Sequence, residues 1–190
     1  MNNKNSYILT LVIGLMAMAF IAASVFAYYP LSITVSPVQP PIVFALGSNS
    51  NKPDLGSDKF ITVLPGDNST SASVTIHPTY QTTYYKDVLR IRNVDTKAYS
   101  VYLRVETPIT NFPSGSVVNL TIYSSGADRA TPPIANVSLL STGTTYIESL
   151  SGGGTWEVDV KVYIPEGSSW PSSATARLLL IYTPSGETPP

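Results

Sequence analysis

The sequence predicts an all-β protein, a jelly-roll-like antiparallel β-sandwich preceded by a cleaved N-terminal signal peptide. After residues 1–27, nearly every apolar segment alternates with a period of two and is rich in β-branched and aromatic residues, as half-buried strands are. The segments between them contain Pro, Gly, Asn and Ser, which favour turns. No helical periodicity longer than one or two turns follows the leader, so short strands must form the core.

Residues 1–27 have the layout of a signal peptide. Lys4 and the amino terminus supply positive charge, and a long apolar run then ends in Val25-Phe26-Ala27. Small residues at the third and first positions before a cut are those that signal peptidase accepts, so we expect cleavage after Ala27. The apolar run is also long enough to span a bilayer, and an uncleaved N-terminal anchor is the alternative.

The pattern of residues 28–36 predicts a half-buried strand, because apolar residues alternate with serine and threonine. A proline-rich spacer, residues 37–41, follows it, and such a spacer is extended and semi-rigid. The strand is therefore badly placed to pair with the next segment, and we expect it to be donated to another copy of the chain by β-strand addition. The alternative is an edge strand of its own sheet. The donor residues are Tyr28, Tyr29, Leu31, Ile33 and Val35.

The β-sandwich domain is predicted for residues 42–184, and residues 185–190 form a C-terminal tail. Each strand is a short alternating segment bounded by turn residues. With the N-terminal strand included, the predicted strands are residues 32–36, 42–46, 60–64, 72–77, 88–93, 100–106, 117–123, 136–140, 145–150, 155–164 and 174–182.

Alternation also predicts which side chains are buried. In residues 155–164, Trp156 and every second residue after it share the core face, whereas Glu157 and Asp159 lie on the face toward solvent. By the same pattern, Leu89 and Ile91 pack inside, whereas Arg90 and Arg92 lie in solvent. The side chains of Tyr102, Arg104 and Glu106 are expected in solvent, opposite Val101, Leu103 and Val105.

Composition excludes several classes of function. The chain has 11 basic and 12 acidic residues, so no basic surface collects phosphates and nucleic acid is not an expected partner. It has no cysteine, which removes thiol catalysis and cysteine metal sites. Charged residues are only 12% of the chain, which indicates a surface covered by neighbouring subunits or sugar, or one solvated by hydroxyl groups.

A hairpin-like region carries a family resemblance. The stretch from Thr79 to Asp95, followed by that from Ala98 to Val105, is similar to the strand–turn–strand hairpin of the TasA/camelysin-like secreted β-proteins. With the leader, the donor-like strand and the proline spacer, the mature chain most resembles the archaeal bundling pilins of that family. Val94-Asp95 stands where the family more often shows Thr-Gly, so the turn type differs.

The resemblance implies a jelly-roll-like structural subunit. Its N-terminal strand would complete the sheet of an adjacent subunit by donor-strand complementation, giving a secreted extracellular pilus at the cell surface that bundles in a biofilm matrix. The implied partners are further copies of the chain and neighbouring fibres, with the membrane met only during export. The alternative is a monomeric surface-associated β-sandwich module that binds carbohydrate or protein.

Enzyme chemistry is weakly represented, although the camelysin name carries a protease label. The chain has one histidine, His77, and no His-Glu-x-x-His motif, so a zinc-protease site of that kind is excluded. Glu157 and Asp159 are expected to be solvated. The loop residues Asp54, Asp58 and Asp67 suit calcium chemically but lack the EF-hand spacing. We therefore expect no enzyme activity, no resident metal and no cofactor.

Two further groups of residues bear on the surface. Three Asn-x-Ser/Thr sequons, at Asn68, Asn119 and Asn136, are candidate N-glycosylation sites, with Asn68 in a turn and the other two at strand starts. A group of tyrosines has three possible interpretations, which the sequence leaves open: a contact patch between subunits, cross-strand pairs within one sheet, or a platform that binds carbohydrate. They are Tyr80, Tyr84, Tyr85, Tyr99 and Tyr102.

Overall fold

The computed structural model describes residues 3–19, 26–169 and 173–190. The chain divides into two compact units, Met1–Val38 and Gln39–Pro190. Within its described residues, the first unit contains the helix α1 (Asn3–Ala19). No helix of the described residues combines the length and apolar character needed to cross a bilayer. Val25, at the third position before the expected cleavage, lies outside the described residues.

The second unit is built from strands, because its alternating β-branched and aromatic segments favour a pleated, half-buried surface. A short 3₁₀ turn at Asp67–Ser69 joins the second and third of them. The strands are β1 (Ile42–Leu46), β2 (Thr62–Pro65), β3 (Ala72–Thr75), β4 (Gln81–Asn93), β5 (Tyr99–Thr107), β6 (Val117–Ser124), β7 (Ala135–Ser138), β8 (Gly143–Leu150), β9 (Thr155–Ile164) and β10 (Arg177–Thr183).

The prediction of a mainly β protein with antiparallel sheets is confirmed. The bounds of β1 and β9 are those predicted, whereas β4 begins at Gln81 rather than at Val88. The predicted strand at residues 32–36 is not formed in this single chain: residues 26–40 contain no strand, and the three sheets include none of them.

The strands form three antiparallel sheets. A five-stranded sheet has the order β1-β4-β9-β6-β7, and a three-stranded sheet has the order β10-β5-β8. The hairpin β2-β3 is a third, small sheet. Strand β9 lies at the centre of the larger sheet, where it pairs with β4 on one side and β6 on the other.

One hydrophobic cluster contains side chains from both larger sheets. Trp156, Val158 and Val162 of β9 are buried, as the alternation predicts. The core face predicted for β5 is buried as well, with Val101 at 0% exposure. Burial of apolar area at about 25 cal/mol per Å² is the main stabilising contribution to a domain without disulfides.

Two turns that connect the larger sheets, β4–β5 and β8–β9, are joined by Asn93. Its side-chain Nδ2 donates to the carbonyl oxygens of Lys97, Leu150 and Ser151, at 2.7, 3.0 and 3.0 Å. A Cβ at Gly152 would lie 2.2 Å from the carbonyl oxygen of Thr96, so only glycine permits this approach. The Gly-rich turn of residues 152–154 is therefore fixed against the β4–β5 turn.

In the two larger sheets, four strands have a free edge within the described residues. They are β1 and β7 in the five-stranded sheet, and β8 and β10 in the three-stranded sheet. Free edges expose unpaired backbone groups and are where further strands can add.

Candidate functional site

The N-terminal segment, residues 28–36, presents an unpartnered apolar face. Leu31, Ile33 and Val35 are 82%, 77% and 82% exposed, and Tyr28 and Tyr29 are each 88% exposed. The serine and threonine between them fall on the opposite face of an extended chain, because successive side chains of such a chain alternate. Single exposed apolar residues are ordinary, but here three of them alternate along one short segment and share a face.

A proline-rich spacer follows this segment. Residues 37–41 contain three prolines and carry no regular secondary structure. Prolines remove backbone donors and hold φ near −65°, which keeps the chain extended at about 3.1 Å per residue. The spacer is therefore expected to be extended and semi-rigid rather than a flexible linker.

The three sequons differ in accessibility. Asn68 is exposed in the turn between β2 and β3, where its φ of 55° is in the left-handed region that asparagine tolerates. Asn136 is exposed on the edge strand β7, whereas Asn119 is half-buried on β6, between β7 and β9. An oligosaccharide needs an open approach, so Asn68 and Asn136 are better placed than Asn119.

Asp54, considered above as a calcium ligand, is occupied by other contacts. Its Oδ2 accepts from the backbone N–H of His77 at 2.8 Å and lies 3.0 Å from His77 Nδ1. Burial raises the pKa of the Tyr85 hydroxyl, and the charge of Asp54 adds to that effect. Among the residues that the structure describes, no three acidic or histidine side chains are grouped as a metal site.

The prediction that Glu157 and Asp159 are solvated is wrong. Their residues are 6% and 0% exposed, because the guanidinium of Arg129 lies across them. Arg129 Nη2 is 2.7 Å from Glu157 Oε2, and its Nε is 2.7 Å from Asp159 Oδ2. Hydrogen bonds to Asp159 and then to Glu157 raise the pKa of Arg129, so it stays charged. Both carboxylates are thus bound in an ion-pair network with Arg129.

A bulge in β4 extends this network. The pairing of β4 with β9 shifts register between Tyr85 and Leu89, and Asp87 takes a positive φ of 44° at the shift. Its backbone N–H donates to Asp159 Oδ1 at 2.7 Å. Burial and the hydrogen bond from the Tyr84 hydroxyl to Asp159 raise the pKa of Tyr84.

The carboxylate of Asp87 is bound from two sides. Burial alone would raise its pKa, but hydrogen bonds from Arg90 and Ser48 outweigh burial and hold the pKa below its usual range. Arg90 Nη2 is 2.6 Å from Asp87 Oδ2, and the Ser48 N–H is 2.8 Å from the same atom. Arg90, expected to be solvated, is therefore half-buried in an ion pair.

The tyrosines do not form one patch. Tyr84 and Tyr85 belong to the five-stranded sheet, whereas Tyr99 and Tyr102 belong to the three-stranded sheet. Tyr102, expected in solvent, is 6% exposed, since its ring packs 5.0 Å from that of Tyr146 and its hydroxyl donates to the carbonyl oxygen of Glu187. Cross-strand pairing is the interpretation that this contact fits.

Sequence reasoning missed Arg129 because no local pattern links residue 129 to β9. The available signal was indirect: two adjacent acidic residues on one face of a mainly apolar strand need a cation if they are buried.

In comparisons with known proteins, no family model matches the chain, and no curated protein matches it either.

Proposed function

We propose that the chain is an exported structural subunit that polymerises by donating residues 28–36 to the sheet of the next copy. The observation that carries this proposal is the alternating row Leu31, Ile33 and Val35, each at least 77% exposed, in a chain whose larger β-sheets have free edges. Main-chain hydrogen bonds would give the added strand its strength, and the three apolar side chains would give its register.

The proposed architecture of the subunit is a jelly-roll-like β-sandwich. The five-stranded and three-stranded sheets contribute to one hydrophobic cluster, which supports packing of the two sheets face to face. The leader is proposed to be removed after Ala27, so that Tyr28 opens the mature chain outside the cell. Repetition of a head-to-tail contact that does not close produces a filament, and we propose that such filaments bundle in a biofilm matrix.

Glycosylation at Asn68 and Asn136 would cover part of a surface that is poor in charge. Attached sugar would then keep the surface of an extracellular fibre hydrated in place of charged side chains. Nucleic acid is not a proposed partner, because the net charge of the chain is −1.

The test is electron microscopy of the exported chain beside two charge-matched variants. The first carries Leu31→Asp, Ile33→Asp and Val35→Asp, and the second carries Ser32→Asp, Thr34→Asp and Ser36→Asp. Both add three carboxylates to the same segment, but only the first places them on the apolar face. We expect filaments from the unsubstituted chain and the second variant, and dispersed, folded chains from the first.

Two results would contradict the proposal. Assembly of the first variant at the rate of the unsubstituted chain would show that the apolar row does not hold copies together. A dispersed unsubstituted chain with native circular dichroism would remove the filament itself.

A second candidate, a surface-associated module that binds carbohydrate, is favoured by one cavity. Its volume is about 500 Å³, within the range of small-ligand sites. Binding of soluble saccharides by the unsubstituted chain, lost in Tyr146→Ala, would support this candidate, and absence of binding would remove it. The cavity is lined by Ser100, Tyr102, Thr144, Tyr146, Gly186 and Thr188.

A further inference from the structure

We infer that the free edge of β10 in a neighbouring copy is the acceptor for residues 28–36. This inference rests on the proposed function and specifies which of the four free edges the donor strand occupies. Three observations carry it: the composition of β10, the incomplete cover of the core at that edge, and the contrast with the other edges.

Strand β10 is apolar on both faces. Leu178, Leu179, Leu180 and Ile181 are consecutive, and all four are half-buried rather than buried. Edge strands in soluble proteins are usually protected by a charge, a proline or a bulge in mid-strand. Strand β10 begins with Arg177 and has a bulge between Arg177 and Leu178, but from Leu178 to Thr183 it has no charged residue, no proline and no further register shift, so this part of its edge is unprotected against pairing.

The hydrophobic core is incompletely covered at this edge. Leu178 and Leu180, with Ala174 and Ala176 before them, pack against the core cluster but remain partly exposed. On the adjacent strand β5, by contrast, Val101 is fully buried. The core-facing side chains are thus buried on β5 but only half-buried on β10. This difference indicates that the core has room beside β10 for the apolar side chains of one more strand.

The backbone of β10 is paired on one side. Its ladder joins it to β5, and no backbone hydrogen bond among the described residues joins it to another strand. An added strand would accept and donate the hydrogen bonds that this edge leaves open, and the three-stranded sheet would become four-stranded.

The other three free edges fit an apolar donor less well. Strand β7 has four residues, and Asn136 and Ser138 are exposed on it. Strand β8 is polar along most of its length, with Glu148 exposed. Strand β1 is apolar, but it lies close to β2 as well as β4, so the space beside it is partly occupied by the chain itself.

The faces of donor and acceptor also match. With Leu31, Ile33 and Val35 turned to the core, they would lie beside Leu178 and Leu180 and complete the half-buried row. The serine and threonine side chains of the donor would then lie beside Leu179 and Ile181, on the outer face. A register shifted by one residue would turn every apolar donor side chain to solvent, which makes the pairing specific.

Disulfide trapping tests this edge directly, because the chain has no cysteine of its own. Copies carrying Thr34→Cys are mixed with copies carrying Ile181→Cys, and the mixture is oxidised with oxidised glutathione after assembly. Because each copy has one thiol, any mixed disulfide joins two chains. Mixtures of Thr34→Cys with Thr144→Cys on β8, or with Val43→Cys on β1, are matched controls. Donor thiols at Ser32 and Ser36 are tested in parallel, so that the register is sampled.

We expect disulfide-linked dimers from the Ile181→Cys mixture, mapped by peptide mass spectrometry, and not from the control mixtures. Filaments that cross-link through β8 or β1 instead, or at none of the three donor positions, would overturn the β10 assignment while the proposed function stands. Absence of filaments from the unsubstituted chain would contradict the proposed function itself.

Hydrogen exchange gives a second measurement without any substitution. In filaments, amides of β10 should exchange roughly tenfold or more slowly than in dispersed chains, because an added strand bonds them. Amides of β8 should change far less. Equal protection of both strands, or protection of β8 alone, would count against β10 as the acceptor.

Discussion

Arg129 bridges two carboxylates of one strand: its Nη2 lies 2.7 Å from Glu157 Oε2 and 2.8 Å from Asp159 Oδ1. The same guanidinium stands over the ring of Tyr123, 4.5 Å from the ring centroid. Both carboxylates are buried, and removal of Arg129 would take the paired guanidinium from Asp159 and leave Glu157 with Arg90 at 3.8 Å, in a region of low dielectric.

Arg129→Ala should therefore lower the free energy of unfolding by about 3–5 kcal/mol, the range for breaking a buried ion pair from one side. The matched control is Arg177→Ala, which removes an ion pair with Glu106 whose side chains are 71% and 45% exposed. That change should cost less than about 1 kcal/mol. Urea denaturation on the Leu31→Asp, Ile33→Asp, Val35→Asp background measures both without a contribution from association. Equal losses in the two variants would contradict a stabilising role for the network.

Asp87 should make the domain sensitive to acid. Its folded-state pKa is lowered, so its contribution to stability is fully present above the unfolded pKa of about 4 and is lost as pH falls below that value. Asp87→Asn should lower stability at pH 7 and should flatten the fall in the urea midpoint between pH 5 and pH 2.

The control for this prediction is Asp58→Asn. Asp58 is exposed and has a φ of 58°, which asparagine also tolerates. The control should keep the pH profile of the unsubstituted chain. A profile for Asp87→Asn that runs parallel to that of the unsubstituted chain would show that Asp87 does not carry the acid sensitivity.

Gly152→Ala should separate the β4–β5 and β8–β9 turns that Asn93 joins. The new Cβ would lie 2.2 Å from the carbonyl oxygen of Thr96, a backbone atom that cannot move alone. We expect a loss of about 1–3 kcal/mol, as for other overpacking substitutions. Gly186→Ala, whose Cβ would meet no atom within 4 Å, should leave the urea midpoint unchanged. An unchanged midpoint in Gly152→Ala would mean that the turns tolerate separation.

Occupancy of the three sequons should follow their exposure. In chains purified from a host that glycosylates asparagine, glycopeptide mass spectrometry should find Asn68 and Asn136 modified more fully than Asn119, because Asn119 is half-buried between two strands. The double variant Asn68→Gln, Asn136→Gln should then have nearly the mass of the bare polypeptide. A fully modified Asn119 would contradict this order.

Much of the β architecture follows from local patterns. The alternation in β9 predicted its bounds and its buried row from Trp156 to Ile164, because a period of two assigns each side chain to a face whatever the partner strand is. The same rule failed for Glu157 and Asp159. It assigns them correctly to the other face, but whether that face is wet depends on Arg129, which lies about thirty residues away in sequence.

Two other differences have the same physical origin. Tyr102 is covered by Tyr146 and by a carbonyl group near the end of the chain, neither of which is local to β5. Strand β4 begins at Gln81 because β9 pairs with it on both sides of the bulge at Asp87. The residues of β4 before Val88 are mostly polar, so the apolar alternation did not predict this part of the strand. Contacts distant in sequence decide both outcomes, and single-sequence patterns do not encode them.

The position of β9 in the five-stranded sheet has a consequence for the order in which the domain can form. Strand β9 pairs with both β4 and β6, yet it ends only at Ile164. A chain emerging from its amino end would carry β4 and β6 for many residues before the strand between them arrived. Pairing of strands that lie so far apart in sequence is slow, so the polypeptide should remain unfolded until synthesis is nearly complete. A nascent chain that stays unfolded in this way has a form suited to translocation through a narrow channel.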